Sequence, residues 1–115
     1  MIKFYHNPRC SKSREGLALL TESGKEFEVI EYLRDIPTKK ELKAIIKALD
    51  IPALELVRKK EPIWKERYQG KSLSEEEIIT AMVQNPSLIE RPIAILNDKA
   101  AIGRPVENIK SLIQG

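Results

Sequence analysis

The order strand, helix, strand at the start of the chain limits its fold more than any other feature. Ile2-Lys3-Phe4-Tyr5 is a short apolar run that reads as a strand, and residues 27–31 (Phe-Glu-Val-Ile-Glu) read as a second. Between them the spacing predicts a helix over residues 11–23, with Leu17, Ala18 and Leu20 as its core face and Gly24 as its stop. Two strands separated by a helical crossover lie parallel. A parallel pair carrying a helix predicts the α/β class.

The middle of the chain reads as helical. Thr38-Lys39-Lys40-Glu41 has capping-box spacing and opens a helix whose Leu42, Ile45, Ile46 and Leu49 recur at i, i+3, i+4 and i+7 before Asp50-Ile51-Pro52 ends it. Ser74-Glu75-Glu76-Glu77 repeats the box, with Leu73 and Ile78 placed as a hydrophobic staple and Ile78, Ile79, Met82 and Val83 as the buried face. Between these, a shorter helical stretch is expected at 54–58, then a less regular segment through Trp64 and Tyr68, aromatics better read as packing than as a ligand cleft. Residues 93–96 and 100–102 read as strands of a hairpin turned by Asn97-Asp98, and Pro105 suits the first turn of a last helix bearing Val106, Ile109 and Ile113. By order of elements this is a thioredoxin-like fold, βαβ then ββα in a mixed sheet, with a helical insertion over about residues 38–85.

At 115 residues the chain has the size of one domain spanning 1–115, with enough core to fold without disulfides or metal. One cysteine and one histidine allow neither an internal disulfide nor a tetrahedral zinc site. The start lacks a signal-peptide pattern and no window has the apolar length of a membrane span, so we expect a cytoplasmic protein that does not engage a membrane. A net charge of +3 with both signs mixed does not point to nucleic acid. Lys39, Lys40, Lys43 and Lys47 fall on the outer face of their helix, and aromatic residues are not interleaved with basic ones.

The lone cysteine, Cys10, stands where the first strand gives way to the helix, in His6-Asn7-Pro8-Arg9-Cys10-Ser11-Lys12-Ser13-Arg14. An isolated cysteine is often just a small buried residue. Here no apolar residue lies between Pro8 and Glu15, so the stretch does not read as core. Unpaired N–H groups at the helix start, with Arg9, Lys12, Arg14 and His6 near in sequence, favour the thiolate. His6 is read equally well as a partner of a loop carbonyl or as a neighbour of the sulfur. Ser13 is either an ordinary first-turn residue or a hydroxyl that reaches the sulfur. Arg58, Arg91 and Arg104 end elements or lie in connections, two of them just before proline, and forked guanidinium groups suit tetrahedral oxyanions. Singly, each reads as a surface residue, and the three matter only if the fold gathers them.

Over its whole length the sequence resembles the glutaredoxin-dependent arsenate reductase family. The likeness lies in His6-Asn7-Pro8-Arg9-Cys10 with Ser13-Arg14, Tyr32-Leu33, Leu56-Val57-Arg58-Lys59, Asn85-Pro86, Ile89-Glu90-Arg91-Pro92-Ile93 and Ile102-Gly103-Arg104-Pro105. Residues 5–15 most resemble its YfgD-like branch. The resemblance implies that Cys10 is the nucleophile, that Arg58, Arg91 and Arg104 bind the oxyanion, and that His6, Ser13 and Arg14 condition the thiolate. It also implies a cis bond at Arg91-Pro92.

The implied activity is reduction of arsenate to arsenite through a Cys10 adduct, with glutathione as co-substrate, glutaredoxin as partner, no tightly bound cofactor and no metal, in a monomer. Dithiol oxidoreductases and many Spx-type regulators have a second cysteine three residues after the first, where this chain has Ser13, so Cys10 cannot be resolved internally. Two alternatives stay open: a general glutathione-dependent thiol reductase, and an RNA polymerase-binding regulator of the Spx type.

Overall fold

In the computed structural model, which describes residues 1–114, the elements run β1 (Ile2–Tyr5), α1 (Ser11–Ser23), β2 (Phe27–Ile30), α2 (Lys39–Leu49), a 3-10 turn (Ala53–Leu56), α3 (Pro62–Arg67), α4 (Glu75–Gln84), a second 3-10 turn (Pro86–Leu88), β3 (Ile93–Leu96), β4 (Lys99–Ile102) and α5 (Glu107–Gln114). They divide into two compact units. One holds Met1–Asp35 with the C-terminal segment from Arg91 onward, and the other is Ile36–Glu90.

The first unit is built on a sheet of order β2-β1-β3-β4. β1 and β2 are parallel, with Ile2 opposite Phe27 and Tyr5 opposite Ile30. β3 runs antiparallel to β1, pairing Tyr5 with Ile93, and β4 antiparallel to β3, pairing Ile93 with Ile102. This register puts the ends of β1, β2 and β4 and the start of β3 along one edge of the sheet. The hairpin turn is Asn97-Asp98, with Asn97 at φ 57°, left-handed backbone that asparagine adopts more readily than most residues.

Ile2 and Phe4 share one face of β1 at period two and pack with Leu20, Ala94, Ile109 and Ile113. α1 buries Ser13, Gly16 and Leu20, while Leu17 is half-buried and Ala18 exposed, so the expected core face is rotated. The reason is steric. A Cβ on Gly16 would stand 2.9 Å from Phe4 Cζ, so the helix comes closest to Phe4 at Gly16, with Leu20 packing on the same face. Gly24 ends α1 at φ 73° as expected.

Pro105 does not enter the last helix. It follows a cis Arg104-Pro105 bond and precedes α5 by two residues, its carbonyl accepting the Asn108 N–H at 3.0 Å. Val106 accordingly lies outside the helix, half-buried, while Ile109 and Ile113 are core. Arg91-Pro92 is cis as the resemblance implied.

In the second unit both capping boxes form: Thr38 Oγ1 accepts the Glu41 N–H at 3.1 Å, and Ser74 Oγ the Glu77 N–H at 3.2 Å. α2 buries Leu42, Ile45 and Ile46. α4 buries Ile78, Ile79, Ala81 and Met82, with Ala81 taking the place expected for the half-buried Val83. α4 meets α2 and both 3-10 turns, which widens its buried arc. An ion pair joins Lys43 to Glu76 across α2 and α4.

The stretch expected as helical over 54–58 is a 3-10 turn that stops at Leu56. Val57 then bridges Ile89, the Arg58 N–H reaches Leu88 O at 2.7 Å and the Glu90 N–H reaches Leu56 O at 2.8 Å, so the backbone finds strand-like partners instead. The segment expected as irregular contains α3, with Pro62 in its first turn. Trp64 is buried and stacks on Tyr68 at 5.4 Å, and Asn85 Nδ2 donates to the Tyr68 hydroxyl at 3.2 Å, so both aromatics are packing residues.

The tightest approach is at Gly103, where a Cβ would fall 2.6 Å from Ile109 Cδ1 and 2.7 Å from Pro92 Cγ. Gly103→Ala is expected to cost about 1–3 kcal/mol through overpacking. It should lower the urea midpoint without changing the slope, and an unchanged midpoint would contradict this packing.

Candidate active site

The sheet edge that gathers the ends of β1 and β4 with the start of β3 carries the site. Cys10 is the N-cap of α1, with extended backbone (φ −96°, ψ 124°) and its carbonyl accepting the Arg14 N–H at 3.0 Å. No side-chain oxygen caps the helix there. The sulfur therefore sits at the positive end of a 13-residue helix and takes the place of a capping oxygen.

The loop before it is held by its own polar groups. The Cys10 N–H reaches Asn7 O at 3.0 Å, the Arg9 N–H reaches Asn7 Oδ1 at 3.0 Å, and Arg14 Nη1 donates to Pro8 O at 2.9 Å. Ser13 is fully buried, contrary to the expectation that residues between Pro8 and Glu15 stay outside the core. Burial is tolerated because the hydroxyl is satisfied: its Oγ accepts the Asn7 N–H at 2.9 Å and pairs with His6 Nδ1 at 2.7 Å. His6 is itself only 5 % exposed and stacks on Phe4 with ring centroids 5.5 Å apart. Burial holds its pKa below the ordinary histidine value, aided by Arg14 and against the pull of Glu31 and the Ser13 bond.

At the sulfur, Arg104 Nη2 donates to Cys10 Sγ at 3.3 Å while Arg104 Nε donates to Arg91 O at 2.8 Å. Burial is the largest single influence on the thiol and pushes its pKa up. The Ser13 backbone N–H, the Arg91 side chain, the Lys12 backbone N–H and the Arg104 charge together outweigh it, and the pKa lies below the ordinary thiol value. Ser13 thus meets the sulfur through its backbone, not through the hydroxyl proposed from sequence.

Of the residues named from sequence, the structure brings Cys10, Arg91 and Arg104 together. His6 and the Ser13 hydroxyl form a buried pair under the loop, and the Arg14 guanidinium braces Pro8. Arg58 belongs to the second unit, where Nη1 lies 3.3 Å from Glu90 Oε1 and Nε 3.8 Å from Glu61 Oε1. Sequence reasoning missed Asn7, whose signal was an asparagine before proline in a strand-to-helix connection. It also missed Asn108, whose Nδ2 reaches Ile102 O at 3.0 Å and Arg104 O at 3.4 Å and so fixes the turn bearing Arg104. Among the described residues no three His, Cys, Asp or Glu side chains stand together as metal ligands, and no helix is long and apolar enough to cross a membrane. A thiolate bordered by two guanidinium groups can bind and attack a small oxyanion.

The sequence profile of the ArsC family matches residues 5–112. The chain belongs to the ArsC family. It is 50% identical over 114 residues to the Escherichia coli (strain K12) protein YfgD, which is described as uncharacterized, covering 97% of this chain and 96% of that one. It is 42% identical to an arsenate reductase of Neisseria meningitidis, covering 97% of each. The solved structure of an arsenate reductase from Vibrio cholerae superimposes with a TM-score of 0.90 at 42% identity, covering 95% of each chain. The fold is thioredoxin-like, as the order of elements indicated. The family match spans Cys10, Arg58, Arg91 and Arg104 alike.

Alkylation of Cys10 by a neutral reagent should rise with pH through an inflection below the ordinary thiol range, and Arg104→Ala should move that inflection upward. The lowered pKa also contributes stability in a defined direction. Between the folded and unfolded thiol pKa values the unfolded chain holds the extra proton, so this contribution is complete above the unfolded value and is lost as pH falls through the folded one. An inflection unmoved by Arg104→Ala would remove that guanidinium from the sulfur's electrostatics.

Proposed function

We propose that this protein reduces arsenate to arsenite, with Cys10 as nucleophile and glutathione and glutaredoxin as the source of electrons. The observation that carries the reading is the contact of Arg104 Nη2 with a sulfur whose pKa is lowered at a helix N-terminus. Relatives named arsenate reductase at 42% identity support the choice of oxyanion.

In the proposed sequence the Cys10 thiolate attacks arsenic(V), and an arsenate oxygen leaves as water after protonation, forming an S–As bond. Arg91 and Arg104 offset the charge of the crowded transition state. Arg58 is the third oxyanion ligand of this proposal and rests on the family resemblance. The thiolate of glutathione then attacks the Cys10 sulfur. The S–As electron pair passes to arsenic, which leaves as arsenite, and Cys10 is left in a mixed disulfide with glutathione. A glutaredoxin thiolate attacks the glutathione sulfur and releases the Cys10 thiolate. An external thiol is needed because the chain has a single cysteine and Ser13 stands at the position of a resolving one. The same constraint suits a general glutathione-dependent thiol reductase, in which the guanidinium groups hold a carboxylate in place of arsenate.

In a coupled assay with glutathione, glutaredoxin, glutathione reductase and NADPH, we expect arsenate-dependent oxidation that Cys10→Ser abolishes. Arg104→Ala and Arg91→Ala should each lower kcat/KM by roughly 10²-fold, as for loss of one transition-state donor. Arg58→Ala should cost less, since Glu61 and Glu90 already offset its charge. Turnover retained by Cys10→Ser would end the proposal. A Cys10 that exchanges with glutathione but never turns over arsenate would leave the general thiol reductase.

A further inference from the structure

The parallel register of β1 and β2 does more than support α1. By pairing Tyr5 with Ile30 it sets residues 31–34, which follow β2, beside residues 6–9, which follow β1 and lead directly into Cys10. Between the two segments lies a cavity of about 390 Å³, within the size range of small-molecule sites. It lies on the opposite side of β1 from β3, which Arg91 precedes, and β4, which Arg104 follows.

Its lining has a specific charge set: Arg9 and Arg34 with Glu31, over a floor that includes the buried His6 and Asn7. His6 adds no fixed charge, since burial favours its neutral form. Arg14, Arg58 and Arg104 are already engaged with Pro8 O, with Glu61 and Glu90, and with Arg91 O and the sulfur. Arg9, Arg34 and Glu31 hold no ion pair among the described residues. Two cations and one anion thus face a cavity whose wall ends at the residue next to the nucleophile.

We infer that this cavity is the subsite for the charged ends of a small thiol carrying two carboxylates and one ammonium, the charge set of glutathione, with Arg9 and Arg34 facing carboxylates and Glu31 the ammonium. The inference rests on the proposed use of such a thiol at Cys10 and names where it docks. Guanidinium forks pair with carboxylates through two N–H bonds, and a single acidic residue among them favours a zwitterion over a simple dianion. A thiol held there approaches Cys10 from the β2 side and leaves the oxyanion side, at Arg91 and Arg104, to its own ligand.

Thiol–disulfide exchange tests this without arsenate. The Cys10 thiolate attacks one sulfur of oxidised glutathione, the S–S bond breaks, one glutathione leaves as a thiolate and the other remains as a mixed disulfide on Cys10. The quantity read is the rate with oxidised glutathione divided by the rate with the uncharged 2-hydroxyethyl disulfide, a ratio that cancels changes in thiolate fraction. Arg34→Ala and Glu31→Gln should each lower it about five-fold, the scale of one partly exposed charge contact near 1 kcal/mol. In the unmodified protein, esterifying the carboxylates of oxidised glutathione should lower it similarly, and by less in Arg34→Ala.

A ratio unchanged by both substitutions and by esterification would overturn the subsite. Failure of arsenate turnover would leave this ratio untouched, and an unchanged ratio would leave arsenate reduction standing, so the two can fail separately.

Discussion

The buried hydroxyl of Ser13 is the point on which the site depends. By accepting the Asn7 N–H and pairing with His6 Nδ1, it ties the exit of β1 to the first turn of α1. That tie braces the intervening loop, whose last residue, Cys10, is the N-cap of α1. A hydroxyl can do this in a fully buried position because both its partners are themselves buried polar groups that would otherwise lack a bond. Gly16, one turn further on, lets the helix sit against Phe4, the same ring on which His6 stacks. The core under the site and the polar network in the site are thus continuous.

A second convergence lies on the other flank of β1. Gly103 has no room for a side chain between Pro92 and Ile109, and its N–H bonds Pro92 O at 2.8 Å. The turns that carry Arg91 and Arg104 are therefore packed against each other before either arginine meets the sulfur. Arg104 spends its Nε on Arg91 O and its Nη2 on Cys10, while Asn108 holds the turn from α5. The guanidinium group approaches the sulfur from a fixed direction, which is what electrostatic stabilisation of a transition state requires.

The balance at Cys10 shows how such a thiol is tuned. Burial alone would suppress the thiolate, and no single neighbour offsets it. Two backbone N–H groups from the helix start and two arginines do so together. The charges seen in the linear sequence contribute differently from what proximity suggests: Arg14 faces Pro8 O, Arg9 faces the cavity by β2, and the arginines that act on the sulfur come from more than eighty residues away.

Local patterns made much of the fold legible. The capping boxes at Thr38 and Ser74, the glycine stop at Gly24 and the Asn97-Asp98 hairpin depend on bonds within a few residues, so sequence alone determined them, together with the parallel crossover and the placement of Cys10 at a helix start. Other features depend on what each segment meets. Ala18 faces outward because Gly16 allows close packing on Phe4, Val57 bridges Ile89 instead of extending a turn, and Pro105 lies outside α5 after a cis bond. The partners of the Ser13 hydroxyl, the meeting of Arg91 and Arg104 at the sulfur, and the cavity facing Arg9, Glu31 and Arg34 belong to the same class. Only the tertiary structure decided them, because each joins groups that the pairing register of the sheet brings together and that no short-range periodicity in the chain records.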